Sequence, residues 1–90
     1  MNVIFIEAHE LKVGDQFLSA FEHRMNEDRP RRARRRAVAP AFKARVVTEP
    51  LRMGPENFTT IKGERHVFIP AGDDLIVPMG ITETVAVYNR

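Results

Sequence analysis

Short runs of β-branched and aromatic residues, separated by glycine and proline, make up most of the chain outside one basic stretch. The first run, Asn2 to Ile6, predicts a buried strand. In the second, Phe17, Ser19 and Phe21 share one face of a half-buried strand, which is the favoured interpretation. A helix beginning at Asp15 is the alternative, because Phe17 and Phe21 are also four positions apart.

The second half of the chain repeats this pattern of short strands and turns. The run from Ala41 to Pro50 alternates as a strand and ends at the proline. The stretch "FTTIKGERHVFI" predicts a hairpin in which Gly63 takes a positive φ. The residues from Pro70 to Asp74 predict a turn, "LIVP" a short strand that ends at Pro78, and "ETVAVYNR" a last strand.

This rhythm predicts an all-β protein with five to seven short strands and turns about every ten residues. Ninety residues form one domain, residues 1–90, with no room for a second core. A small barrel of the SH3-like kind is favoured, because closing the sheet removes edges that would otherwise pair with other chains. An OB-type barrel ranks second, since it needs a longer chain and a helix between two of its strands.

Four segments carry a family resemblance. They are "ELKVGDQFL", "ARVVTEP", "HVFIPAGDDLIV" and the terminal "TVAVYNR". Their order resembles that of small SH3-like β-barrel proteins of actinobacteria and their phages. The resemblance implies the barrel fold, and it implies little about function because barrels of this shape serve many functions. Members of that group would have a short turn where this chain has its basic stretch.

The basic stretch is the feature that most separates this chain from an ordinary β domain. Six arginines occupy the eight positions from Arg29 to Arg36. Residues 24–45 contain nine basic and two acidic residues, a charge of +7, whereas the rest contains five basic and ten acidic residues, a charge of −5. Such asymmetry is typical of a basic arm on a non-basic body.

A nucleic acid is the favoured partner of this insertion. Arginine donates bidentately to phosphate or guanine and stacks on bases, and arginine-rich segments fold on RNA or lie in a DNA groove. We expect mainly phosphate-directed binding of low sequence specificity, to DNA or RNA. The predicted binding residues are Arg29, Arg31, Arg32, Arg34, Arg35, Arg36, Lys43 and Arg45.

Two other interpretations of the insertion stay open. The arm could meet an acidic protein surface, as a protein–protein or oligomerisation module of a phage-type component. It could also be a solvated charge run, since 11 arginines against 3 lysines is a bias that GC-rich coding produces unaided. Asn26 would cap a helix that Pro40 ends, and repulsion between the arginines predicts an arm that is disordered or frayed until a polyanion neutralises it.

Enzymatic chemistry is not predicted, and neither is a cofactor or a metal site. There is no cysteine, and His9, His23 and His66 fall on separate predicted elements. The paired Asp73 and Asp74 predict a turn rather than an acid–base pair, and Ser19, in a predicted strand, lacks a nucleophile elbow. The aromatic rings are expected mainly in the core. The absence of an export signal or an apolar membrane span favours a cytoplasmic location.

Overall fold

The computed structural model describes residues 2–28 and 43–90 of the chain. Within those ranges there are seven strands, one α-helix and one 3₁₀ helix. The strands are β1 (Val3–Glu7), β2 (Gln16–Ser19), β3 (Arg45–Val46), β4 (Arg52–Met53), β5 (His66–Pro70), β6 (Ile76–Gly80) and β7 (Thr84–Tyr88). The α-helix α1 spans Ala20–Asp28, and the 3₁₀ helix spans Ala8–Glu10. The prediction of a mostly β protein is confirmed.

The strands form two antiparallel sheets. The first sheet has the order β1-β7-β2-β3, and the second has the order β4-β5-β6. Over the part of the chain that the structure describes, no pairing joins the outer strands of the two sheets into a closed barrel. Two antiparallel sheets and one short helix are therefore what the structure shows, and the SH3-like barrel stays a prediction.

The hydrophobic core lies between the two sheets. Phe17 from β2 and Val87 from β7 pack with Val67 and Ile69 from β5, and all four side chains are almost fully buried. Val47, in the connection that follows β3, is buried in the same cluster. One continuous core thus holds the two sheets together, as expected for a domain of this size.

The first sheet is buried on its other face as well. Ala86 on β7 and Leu18 on β2 lie opposite each other in the strand register. Both are buried, yet neither belongs to the cluster between the sheets. The helix α1 contacts both of these strands. Because neighbouring residues on a strand point to opposite faces, Leu18 and Ala86 form a second buried layer on the side of the sheet where α1 lies.

Two predicted turns are confirmed by their backbone geometry. Gly63 has φ of +84°, a conformation that costs glycine little because it has no Cβ. In the second turn Gly72 has φ of +94°, Asp73 and Asp74 also have positive φ, and the Ala71 N–H donates to the carbonyl of Leu75 at 2.9 Å. Aspartate tolerates this region better than most residues, which agrees with the predicted role of the acidic pair in a turn.

The hairpin predicted for "FTTIKGERHVFI" is only partly formed. Its second run is β5, but its first run contributes a single isolated bridge, between Thr59 and Arg65. The short strand β4 takes the place beside β5 instead, with Met53 opposite Val67. No strand was predicted between Pro50 and Phe58, so the pairing of β4 was missed.

Three strand predictions need correction. In the described residues the run from Ala41 to Pro50 forms only β3, Arg45–Val46. The run from Asn2 to Ile6 was expected to be buried, but β1 is an outer strand of the first sheet and Phe5 is 56% exposed. The strand expected to end at Pro78 continues to Gly80. Proline lacks an N–H to donate, yet β6 is an outer strand of its sheet and tolerates it.

The segment after β2 differs most from expectation. The favoured strand through Phe21 is wrong beyond Ser19, because α1 begins at Ala20. The Glu22 N–H donates to the Ser19 hydroxyl at 3.1 Å, so that serine caps the first turn of the helix. The prediction of Asn26 as an N-cap is also wrong, since it lies inside α1. In the described ranges no helix is long and apolar enough to cross a membrane.

Candidate nucleic-acid interface

Most of the predicted binding residues lie outside the described residues, which stop at Asp28 and resume at Lys43. They are Arg29, Arg31, Arg32, Arg34, Arg35 and Arg36. The structure does show the two ends of this insertion. Lys43 is exposed, Arg45 is half-buried on β3, and Arg24 is exposed on α1.

Both ends of the insertion are anchored on the first sheet. β2 runs directly into α1, and β3 pairs antiparallel with β2, so that Arg45 lies opposite Phe17. The chain therefore leaves the body through α1 and returns beside the strand that precedes α1. Lys43 and Arg45 therefore lie at the β3 edge of the first sheet, whereas Arg24 lies on the helix α1.

Carboxylates of the body lie next to this edge. Partial burial raises the pKa of Glu22, and the positive charge of Arg45 partly opposes that shift. Burial also raises the pKa of Glu83, and the negative charge of Glu22 raises it further. One predicted binding residue, Arg45, thus already interacts with an acid of the body, whereas Arg24 and Lys43 are exposed.

Replacing Glu83 with glutamine is expected to raise the free energy of unfolding at neutral pH. Folding raises the pKa of this carboxyl, so the ionised form destabilises the folded state at pH values above that pKa. The gain should therefore shrink as the pH falls and vanish below the ordinary value of 4.5. Because Glu83 keeps contact with solvent, we expect less than about 1 kcal/mol.

Thermal unfolding of E83Q at neutral and acidic pH measures this effect, and E64Q is the control of opposite sign. Hydrogen bonds from Thr82 lower the pKa of Glu64. Its ionised form therefore stabilises the fold above pH 4.5, and that contribution is lost as the pH falls through the lowered pKa. A Glu83 variant that destabilises at neutral pH would contradict the prediction.

A cluster of aromatic rings lies on the other side of the first sheet, between α1 and the strands β1 and β7. The His23 ring on α1 stands between Phe5 on β1 and Tyr88 on β7, with ring centroids 5.7 Å and 5.8 Å away and edge-to-face geometry. His23 Nδ1 and the Tyr88 hydroxyl are hydrogen-bonded at 2.8 Å. This bond fixes the orientation of the imidazole between the helix and the sheet.

Next to this cluster is an open groove of about 450 Å³. Its lining residues come from the strands β1 and β7 and from the helix α1. They are Phe5, Thr84, Ala20, His23 and Arg24. An exposed ring, an imidazole and a guanidinium therefore border one concave surface. The groove combines a flat apolar face with a cation, and it directly adjoins the helix from which the arginine insertion leaves.

The sequence did not predict this surface. The rings were expected mainly in the core, yet among the described residues only Phe17 is fully buried. Phe5, Phe21 and Phe58 are all exposed, and Phe21 is 70% exposed. The expectation is therefore wrong for these three. The one available signal was the adjacency of His23 and Arg24 at the start of the basic stretch.

The three histidines stay apart in the structure. His9 contacts the Glu7 carboxylate at 2.6 Å, and His66 packs on Phe58 with ring centroids 4.4 Å apart. Searched over residues 2–28 and 43–90, the structure contains no group of three or more His, Asp or Glu side chains that could hold a metal ion.

Neither a scan against protein-family models nor searches of curated proteins and of solved structures found a match to this chain.

Proposed function

We propose that this protein binds nucleic acid through its arginine-rich insertion, mainly by phosphate contacts and with low sequence specificity. The observation that carries the proposal is the placing of six arginines in eight positions, within a segment of charge +7 on a body of charge −5. Each guanidinium can donate two parallel hydrogen bonds to a phosphate. Lys43 and Arg45 extend this surface to the base of the insertion.

The geometry of the ends of the insertion supports the proposal. Arg24 precedes the arginines of the insertion, Lys43 follows them, and both are exposed to solvent. The surrounding body is acidic and would repel a polyanion. The phosphates of a nucleic acid would therefore be held at the insertion rather than over the sheets.

Changing Arg31, Arg32, Arg35 and Arg36 to alanine should weaken binding to every nucleic-acid sequence about equally. Neutralising five to seven phosphates gives a log–log slope of affinity against salt of about −4 to −6 on duplex DNA. Removing four arginines should make that slope shallower by roughly 3 to 4 units, because fewer counterions are released. Titration of labelled duplex and single-stranded oligonucleotides at about 50 and 200 mM salt measures both quantities.

Two further variants make the test specific. Lysine at the same four positions keeps the charge, so the salt slope should be retained. Alanine at Arg52 and Lys62, two exposed cations of the body, should leave affinity nearly unchanged. The thermal midpoint should change little in every variant, because none removes an apolar core side chain. Binding weaker than micromolar at low salt would refute the proposal.

Self-association or an acidic protein partner is the second candidate function, and the carboxylates near the base of the insertion favour it. The charges of Glu22 and Glu64 both raise the pKa of Glu83, so Glu83 is repelled by two other acids. Arginines of a second copy would relieve that repulsion. If the four-alanine variant loses its oligomeric state in light scattering while the parent binds no oligonucleotide, this second function is the correct one.

The finer fold assignment belongs to the same proposal. One core shared by two small antiparallel sheets supports an SH3-like barrel, in which such sheets pack closely. Amide hydrogen exchange tests it, because barrel closure protects outer-strand amides such as those of Val3 and Phe5. Rapid exchange at those amides would support two open sheets instead.

A further inference from the structure

We infer that the groove beside Phe5 binds one unpaired base of a single-stranded nucleic acid, so that the protein prefers single strands to duplexes. This inference rests on the proposed function and adds a second contact to it. The arginine insertion would hold phosphates, and the groove would hold a base of the same strand. Stacking of a base on an aromatic side chain is tolerant of sequence, because every base has a π-face.

The geometry of the groove provides a stacking surface. The Phe5 ring is exposed although its strand belongs to the first sheet, and its edge-to-face contact with His23 holds it in place. His23 is itself held by the Tyr88 hydroxyl. A ring that is already oriented loses little conformational freedom when a base stacks on it.

The charges around the groove fit a base with its phosphates outside. Arg24 lines the groove and carries the positive charge that a flanking phosphate needs. Four residues of α1 follow Arg24, a rise of about 6 Å, so the insertion starts close to the groove along the chain. Charge complementarity thus continues from the groove into the insertion.

The nearby acids explain why a base, rather than a second phosphate, should enter. Glu83 immediately precedes the groove residue Thr84, and the charges of Glu22 and Glu83 interact. Carboxylates repel a phosphate but do not repel an uncharged base, and they accept hydrogen bonds from base N–H groups. In a duplex the bases are stacked inside the helix, and bringing one into the groove would require flipping it out.

The decisive experiment compares a short thymidine strand with an abasic strand of the same length and phosphate number. The parent protein should bind the thymidine strand about tenfold more tightly, because base stacking on an aromatic ring is lost on the abasic strand. Phe5→Leu keeps apolar bulk without a π-face, and it should bind both strands equally, at the affinity that the parent has for the abasic one. Phe5→Tyr should restore the difference. A uridine strand run in parallel separates RNA from DNA.

Phe58→Leu is the matched control. Phe58 is also an exposed ring beside a histidine, His66, but it does not line the groove. Its variant should keep the tenfold difference, and each variant's fold is checked by its thermal midpoint. Equal binding of both strands by the parent, or a full difference retained in Phe5→Leu, would overturn this inference while leaving phosphate-directed binding intact. Failure of the parent to bind any strand at low salt would instead remove the proposed function.

Discussion

Replacing Phe17 with alanine should lower the free energy of unfolding by about 3–5 kcal/mol. The Phe17 side chain is 1% exposed and packs in the cluster that joins the two sheets. It is the only described aromatic residue that is fully buried, and its removal leaves a cavity in that cluster. Domains of this size are stable by roughly 5–15 kcal/mol, so the variant should be close to unfolding at room temperature.

Phe21→Ala is the matched control for this change. It removes the same atoms from a ring that is 70% exposed on α1, and we expect a cost within about 0.5 kcal/mol. Urea unfolding followed by circular dichroism measures both variants. Equal losses for the two would contradict the placing of Phe17 in the core, and the whole arrangement of β2 with it.

The strands predicted best from the sequence are those whose residue types match their buried position in the sheet. β5 and β7 consist mostly of β-branched and aromatic residues, and both are inner strands of their sheets. The turns at Gly63 and Gly72 were predictable because few residues other than glycine accept a positive φ without strain. At these places local preference and tertiary structure point the same way.

The prediction failed where two local patterns overlapped. Residues after Gln16 alternate as a strand, but the Ser19 to Glu22 spacing is also that of a helix cap. Both signals are real, because the strand ends at Ser19 and the helix follows without a loop. Alternation alone could not show where the strand ends and the helix begins, since Phe17 and Phe21 fit the period of either element.

Burial of β1 was mispredicted for a different reason. An apolar run does not show whether a strand lies inside a sheet or at its edge. That depends on pairing between distant segments, here β1 with β7. The partial exposure of Ile4 and Phe5 is therefore a property of the topology and not of the local sequence.

One part of the candidate site could be predicted from the sequence and the other part could not. The arginine insertion is visible in the sequence because its residues are consecutive. The groove is not, because Phe5, His23 and Thr84 come from β1, α1 and β7, and only the strand order β1-β7-β2 brings them together. A contact between elements so far apart in the chain leaves no spacing that could be recognised beforehand.

Because the groove depends on the packing of α1, a substitution beneath this helix is the second change for which we expect a large loss of stability. Leu18→Ala should lower the free energy of unfolding by about 2–4 kcal/mol, because Leu18 is 3% exposed in the layer on the α1 side of the first sheet. Urea unfolding measures it, with emission from Tyr88, the single tyrosine of a chain without tryptophan, as a probe beside His23.

Leu75→Ala, at a leucine that is 43% exposed, is the control and should cost less than about 1 kcal/mol. If Leu18 proves no more costly than Leu75, the layer beneath α1 is not packed and the helix does not hold His23 in a fixed position. If Leu18 is costly, a loosened α1 should also weaken base-dependent binding in the folded fraction, while phosphate contacts from the insertion keep their salt dependence. The free energy of unfolding and the preference for single strands would then both depend on the packing of α1 against the first sheet.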